Sequence, residues 1–180
     1  MKQPPALRHC AGFTLVESMI VLAVAVILLG MAVPSFQRFL DNQRLTTAVN
    51  ELHTAILLTR SEAIKRGVRV DLVAQGDPAD WSQGWLVFAD ANVNGVADAG
   101  EEIVFRRGPI TGGFTLSSTM SDNSRPYIAY DGTGRTRTNA SAQAVQAGNI
   151  SFSRDGTELR RIVINFLGRP RVCNPQGGGC

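Results

Sequence analysis

The sequence predicts an α+β fold in which one long N-terminal helix packs on an antiparallel β-sheet domain. Three observations predict it. Residues 13–33 form an apolar run of 21 residues whose only ionisable group is Glu17, long enough to cross a bilayer as a helix. Beyond Pro34 apolar residues recur at helical spacing, and from residue 68 the period falls to two, between clusters of Gly, Asn and Asp.

Residues 1–12, MKQPPALRHCAG, are basic and contain proline. A secretory signal places its small residues after the apolar core, whereas Ala11 and Gly12 stand before it, so cleavage there leaves the apolar segment on the mature chain as an anchor. Lys2 and Arg8 on the N-terminal side predict that this end is cytoplasmic and that the C-terminal domain lies outside. Past Pro34, Phe36, Leu40, Leu45, Val49, Leu52, Ile56 and Ala63 alternate with Arg38, Asp41, Arg44, Glu51 and Arg60, an amphipathic continuation of the same helix. Pro34 is expected to bend it, and Gly67 reads as its C-cap.

Seven strands follow at 68–73, 84–88, 102–106, 114–117, 127–130, 149–153 and 161–167, with exposed loops at 77–83, 121–126 and 133–148. Trp81, Trp85, Phe88 and Phe105 read as core and hairpin packing in preference to a base-stacking platform. The expected division is 1–12 leader, 13–34 apolar half-helix, 35–67 amphipathic half-helix, 68–167 β-rich domain and 168–180 basic tail.

With 44% apolar residues, 18 basic and 15 acidic side chains and three cysteines, the composition excludes a disordered, collagen-like or disulfide-dense chain. Without residues 1–12 the balance is 16 basic to 15 acidic, so bulk charge is no argument for nucleic acid. Its distribution is uneven. Residues 13–124 hold 8 basic and 12 acidic groups, whereas from Arg125 onward 8 arginines face only Asp131, Asp155 and Glu158. No catalytic residues are expected: His9 lies in the leader, His53 on the helix, and no G-x-S-x-G, P-loop, G-x-G-x-x-G or C-x-x-C is present.

The string Gly12-Phe13-Thr14-Leu15-Val16-Glu17-Ser18 resembles the class III signal of type IV pilins and type II secretion pseudopilins. The resemblance implies a type IV pilin fold, cleavage by a prepilin peptidase after Gly12, methylation at Phe13, and a Glu17 that meets a neighbouring subunit's N-terminal ammonium during assembly. An unpaired carboxylate in hydrocarbon is costly, which fits that role; a snorkelling Glu17 in a plain anchor is the alternative. The stretch from Gly84 to Glu101, G-W-x-V-F-x-D-x-N-x-N-G-x-x-D-x-G-E, is similar to the GspH/FimT branch of these proteins.

That branch implies roles for the C-terminal motif. Gly168-Arg169-Pro170-Arg171 is similar to the G-R-x-R motif that serves DNA binding during natural transformation in FimT-like minor pilins. Two guanidiniums flanking a proline suit successive phosphates, and Arg154, Arg160 and Arg161 would widen the patch. The structural alternative is a solvated or carboxylate-paired pair of arginines that merely fastens the tail to the globular domain. Partners implied are other major and minor pilins, prepilin peptidase, the inner membrane and double-stranded DNA; the alternatives are a FimU-like assembly subunit without DNA and a GspH-like secretion pseudopilin. Since Cys10 leaves with the leader, Cys173 and Cys180 remain, and a disulfide-tied tail is expected over two free thiols. No cofactor is expected. Asp90, Asn92, Asn94, Asp98 and Glu101 match a calcium-loop spacing, yet Asn and Gly are also what a metal-free hairpin needs, and the hairpin is the expectation.

Overall fold

The computed structural model describes residues 13–180 apart from Pro78 and Ala142; the leader, with the expected cleavage site at Gly12, lies outside the described residues. Helix α1, Leu15–Arg66, runs unbroken through Pro34. Its start is fixed by a capping box: the Glu17 amide donates to Thr14 Oγ1 (3.2 Å) and the Thr14 amide to a Glu17 carboxylate oxygen (3.5 Å). Its end is fixed by Gly67, whose φ of 68° needs no Cβ and whose amide donates to the Ala63 carbonyl (2.9 Å).

The chain divides into two compact units, Met1–Asn42 and Gln43–Cys180. In the first, the large apolar side chains of the described residues are exposed, and the helix is long and apolar enough to cross a membrane. Phe36 and Leu40, at the start of the amphipathic pattern, are exposed; the buried cluster begins at Leu45 and continues through Val49, Leu52, Ile56 and Ala63. Helical spacing marks a face, and burial follows only where a sheet covers it.

Among the described residues of the second unit, nine antiparallel strands form two sheets. Strands β1 (Val70–Gln75), β2 (Asp80–Ala89), β3 (Ile103–Arg107), β5 (Tyr127–Tyr130) and β6 (Thr136–Arg137) are ordered β3-β2-β1-β5-β6. Strands β4 (Thr115–Met120), β7 (Gly148–Arg154), β8 (Thr157–Ile164) and β9 (Pro170–Cys173) are ordered β4-β7-β8-β9. Leu52 and Ile56 of the helix, Leu72, Trp81 and Trp85 of one sheet and Ile150, Phe152 and Ile162 of the other share one core, each large side chain stabilising by ~1.5–3 kcal/mol.

All seven expected strands are present, and the structure adds β6 and β9. The segment 168–180, expected as a tail beyond the domain, enters the second sheet through β9. The strand expected at 161–167 stops at Ile164, because Asn165 turns the chain. The loop 133–148, expected to be exposed, contains β6 and buries Thr136, Thr138, Gln146 and Ala147. Gln146 explains its course: its side chain accepts from the Asp122 amide (2.9 Å) and donates to the Asp122 carbonyl (2.9 Å), lacing two loops together. Trp81 falls in an expected loop that is in fact strand β2, but it is core as expected, like Trp85 and Phe88, while Phe105 is exposed.

Candidate functional site

The β8–β9 hairpin carries the C-terminal motif. Its register pairs Ile164 with Pro170, Val163 with Arg171, Ile162 with Val172 and Arg161 with Cys173. Ile162 and Ile164 are buried, so alternation turns Val163, Arg171 and Arg161 to the outer face of the sheet. Pro170 opens an edge strand, where a missing N–H costs nothing to the ladder. The Asn165 amide donates to the Arg169 carbonyl (3.3 Å), so Arg169 extends the pairing by one step and shares the outer face with Arg171, roughly 7 Å away along the chain.

The turn between the strands is held from within. Asn165 Oδ1 accepts from the amides of Leu167 (3.0 Å) and Arg169 (2.9 Å), and its carbonyl accepts from Gly168 (2.9 Å). Gly168 is buried at φ 72°, and its carbonyl accepts from the buried Tyr130 hydroxyl at 2.7 Å. A Cβ here would lie 2.9 Å from the Tyr130 ring and 3.2 Å from the Thr136 amide nitrogen. Gly168 therefore seats the hairpin against β5 and β6, and does not itself present a group to a ligand.

This seating draws in arginines that are distant in sequence. Arg135 precedes Thr136 in the β5–β6 turn, and Arg60 of α1 approaches both Gly134 and the Tyr130 hydroxyl. Burial raises the Tyr130 hydroxyl above the usual tyrosine range, and the Arg60 charge opposes that rise. Among the described residues, the guanidiniums of Arg60, Arg135, Arg169 and Arg171 have no hydrogen-bond acceptor and no carboxylate partner. Asp131, in the same turn as Arg135, is engaged: Arg137 lies 2.8 Å away, and Thr133 and the Arg135 amide donate to it. Burial works against its charge, yet those hydrogen bonds hold its carboxyl below the usual range.

The other expected arginines are placed differently. Arg161 forms a two-pronged pair with Glu158 (2.7 and 2.6 Å), which holds the carboxyl of Glu158 low. Arg154 stacks over Phe114 at 4.4 Å and donates to the Gly112 carbonyl. Arg160 donates to the Leu159 carbonyl (2.7 Å). Carboxylate pairing, one form of the structural alternative, describes Arg161 and not Arg169 and Arg171, which are exposed as its solvated form has them. Sequence reading did not single out Arg60 and Arg135, because only the packing of helix α1 and the β5–β6 and β8–β9 turns around Tyr130, Gly134 and Thr136 reveals them.

Cys173 and Cys180 form a disulfide. The ring encloses the short helix Pro175–Gly177, capped by Asn174, and Gln176 donates to the Glu158 carbonyl (3.3 Å). The chain end is thereby fastened beside β8.

The loop from Asp90 to Glu101 is saturated by its own donors. Asp90 is buried, accepts from the amides of Asn94 and Gly95, and faces Arg69 Nε at 3.4 Å. Asp98 accepts from the side chains of Asn92 (2.8 Å) and Asn94 (2.6 Å), and Glu101 from the amides of Ala91 and Asp98. Arg125 covers the loop, donating to the Asn94 carbonyl at 2.7 Å. Among the described residues no three His, Cys, Asp or Glu side chains converge as a metal site requires.

Comparison with known proteins fits this architecture. The family model described as "Type II transport protein GspH" matches residues 48–168. The chain belongs to the GspH family. The model of the prokaryotic N-terminal methylation motif matches residues 7–33. Pilin-like protein PilA1 of Thermus thermophilus is 36% identical over 91 residues, 51% of this chain and 55% of that protein, so the chain spans about half the length of this relative. Among solved structures, the type IV minor pilin FimU of Pseudomonas aeruginosa superposes with a TM-score of 0.57 at 17% identity, covering 79% of this chain and 96% of that one. The minor pseudopilin EpsH of the Vibrio cholerae type 2 secretion system gives 0.50 at 13%, covering 72% and 95%.

These likenesses establish the α+β type IV pilin fold, with its long N-terminal helix and antiparallel sheets. The chain is thus a GspH-family protein that bears the prokaryotic N-terminal methylation motif. The methylation motif and the apolar helix fit a membrane-anchored pilin.

Proposed function

We propose that this GspH-family pilin captures double-stranded DNA for uptake, through Arg169 and Arg171 on the outer face of the β8–β9 hairpin, with Arg135 and Arg60 extending the cationic surface. The observation that carries this reading is the absence, among the described residues, of any internal acceptor for these guanidiniums, although Asn165, Gly168 and Tyr130 hold the hairpin that bears them. Arginine that fastens this fold finds an internal acceptor, a carboxylate at Arg161 and backbone carbonyls at Arg125, Arg154 and Arg160. Arginine aimed outward in an extended pair suits phosphates. In the same proposal the chain crosses the inner membrane once, with its N-terminus cytoplasmic, stores there until assembly and then joins the pilus beside other minor pilins. No metal takes part.

Few phosphates are engaged per subunit, so binding is weak and salt-dependent, and several subunits acting together supply avidity. The test is titration of a duplex into the full chain, held in zwitterionic lipid nanodiscs, across a potassium chloride series. Arg169→Gln with Arg171→Gln is expected to lower the slope of log K against log salt by about 2 and to weaken binding at least tenfold. A native chain that binds no duplex at low salt overturns the reading.

A second reading draws on the family match itself, which ends at residue 168 and so leaves Arg169 and Arg171 outside it. Under that reading the chain is an assembly subunit of a pilus or of a type II transport system, and the hairpin faces a neighbouring subunit. Unchanged DNA binding in the double variant, with impaired filament assembly, would favour it.

A further inference from the structure

Phe166 stands at the tip of the β8–β9 turn with 76% of its surface exposed, the most exposed large apolar side chain among the described residues of the Gln43–Cys180 unit. Leu167 beside it is 54% exposed. The exposure is built in: Asn165 holds the amides of Leu167, Gly168 and Arg169, and Tyr130 holds the Gly168 carbonyl, so the turn cannot fold Phe166 inward without breaking these bonds. The unpartnered guanidiniums of Arg169 and Arg171 follow within five residues.

We infer that Phe166 is a base-stacking side chain: an unpaired nucleobase lies on its ring while Arg169 and Arg171 hold phosphates of the same strand. This rests on the DNA reading above and deepens it by naming the form of DNA preferred. An aromatic face accepts any base, and two cations beside it select a polyanion over an apolar protein surface, which would gain nothing from unpaired guanidiniums. In an intact duplex the base faces are stacked on one another and closed to the ring. A single strand, a frayed end or a gap offers them. The hairpin therefore prefers DNA with unpaired bases, and Phe166 carries the preference while the arginines supply binding common to both forms.

The test uses the full chain in zwitterionic nanodiscs and two probes, a 12-nucleotide single strand carrying one 2-aminopurine and a dumbbell duplex with closed ends. Phe166→Ala is expected to weaken single-strand binding about tenfold or more and to abolish the 2-aminopurine quenching, with dumbbell affinity changed less than twofold. Phe166→Trp is expected to restore the quenching. Because the side chain is exposed, both variants fold, and unchanged circular dichroism confirms it. Equal losses on both probes, or none, overturn the inference; if Arg169→Gln with Arg171→Gln still abolishes binding, the DNA reading survives that failure. A native chain that binds neither probe overturns both. Unchanged DNA binding with loss of filament assembly in Phe166→Ala assigns the ring to a neighbouring pilin and overturns the inference.

Discussion

Gly168→Ala separates the part of the C-terminal motif that builds the hairpin from the part that faces outward. Two costs add. The left-handed φ of 72° disfavours an L side chain, by ~1 kcal/mol for alanine. The new methyl would also stand 2.9 Å from Tyr130 Cε1 and 3.3 Å from Thr136 Cγ2, inside a core where neither neighbour is free to move, and overpacking of this kind costs about 1–3 kcal/mol. If the ring moves instead, the 2.7 Å bond from its hydroxyl to the Gly168 carbonyl is lost, leaving a buried carbonyl unpaired at ~1–3 kcal/mol. The expected destabilisation is about 3 kcal/mol, a fall in melting temperature on the order of 10 °C for a unit of this size. Trp81 and Trp85, both buried, report the transition by intrinsic fluorescence. Arg169→Ala, exposed and unpartnered, is expected to leave the melting temperature within about 1 °C. A Gly168→Ala protein as stable as the native chain would refute the account of Gly168 as the residue that seats the turn.

Two further outcomes follow from the buried charges and the 90–101 loop. Burial pushes Asp71 up to about 6 despite its two-pronged pair with Arg69 (2.7 and 2.9 Å), with Asp90 raising it further and Arg125 opposing. The folded chain thus holds this proton more tightly than the unfolded chain, so the stability conferred is present below pH about 4 and lost as pH rises through about 6. Relative to Asp71→Asn, the native protein should lose about 2 kcal/mol between pH 4 and 6.5 and little more above it, measured by denaturant unfolding of both proteins at each pH; a native protein that gains stability over its variant as pH rises would mean that the Arg69 pair outweighs burial. For the loop, Asp90 is occupied by Arg69 and two amides, so 1 mM calcium against chelator is expected to move the melting temperature by less than about 1 °C, where a site saturated a hundredfold above its Kd would add about 2.7 kcal/mol.

The sequence made the helix legible because two unlike signals agreed along it, a single ionisable group in residues 13–33 and Gly67 at the far end. Phe36 and Leu40 misled, since periodicity records which residues share a face and not whether anything covers it. Strand β6 was illegible: Thr136 and Arg137 sit in a polar run, and only pairing with Tyr130 and Ala129 makes them a strand. Strand β9 hid behind its arginines and Pro170, which read as a solvated tail although an edge strand tolerates both. The motif exposed Arg169 and Arg171, whereas Arg60 comes near Gly134 and Tyr130, and Arg135 stands next to Thr136 against Gly168, only through tertiary packing. Phe166 was concealed inside an apolar run that Asn165 interrupts with its side chain alone.

This division of labour bears on what the motif means. Gly168 answers to Tyr130 and Thr136, so any chain that keeps that pocket needs the glycine whether or not it binds DNA. Arg169 and Arg171 answer to nothing inside the described protein. An assembly subunit could lose both arginines and keep the same hairpin, whereas a DNA-capturing subunit could not. The glycine is therefore a mark of the fold, and the two arginines, together with the ring held out beside them, carry the functional distinction between the readings.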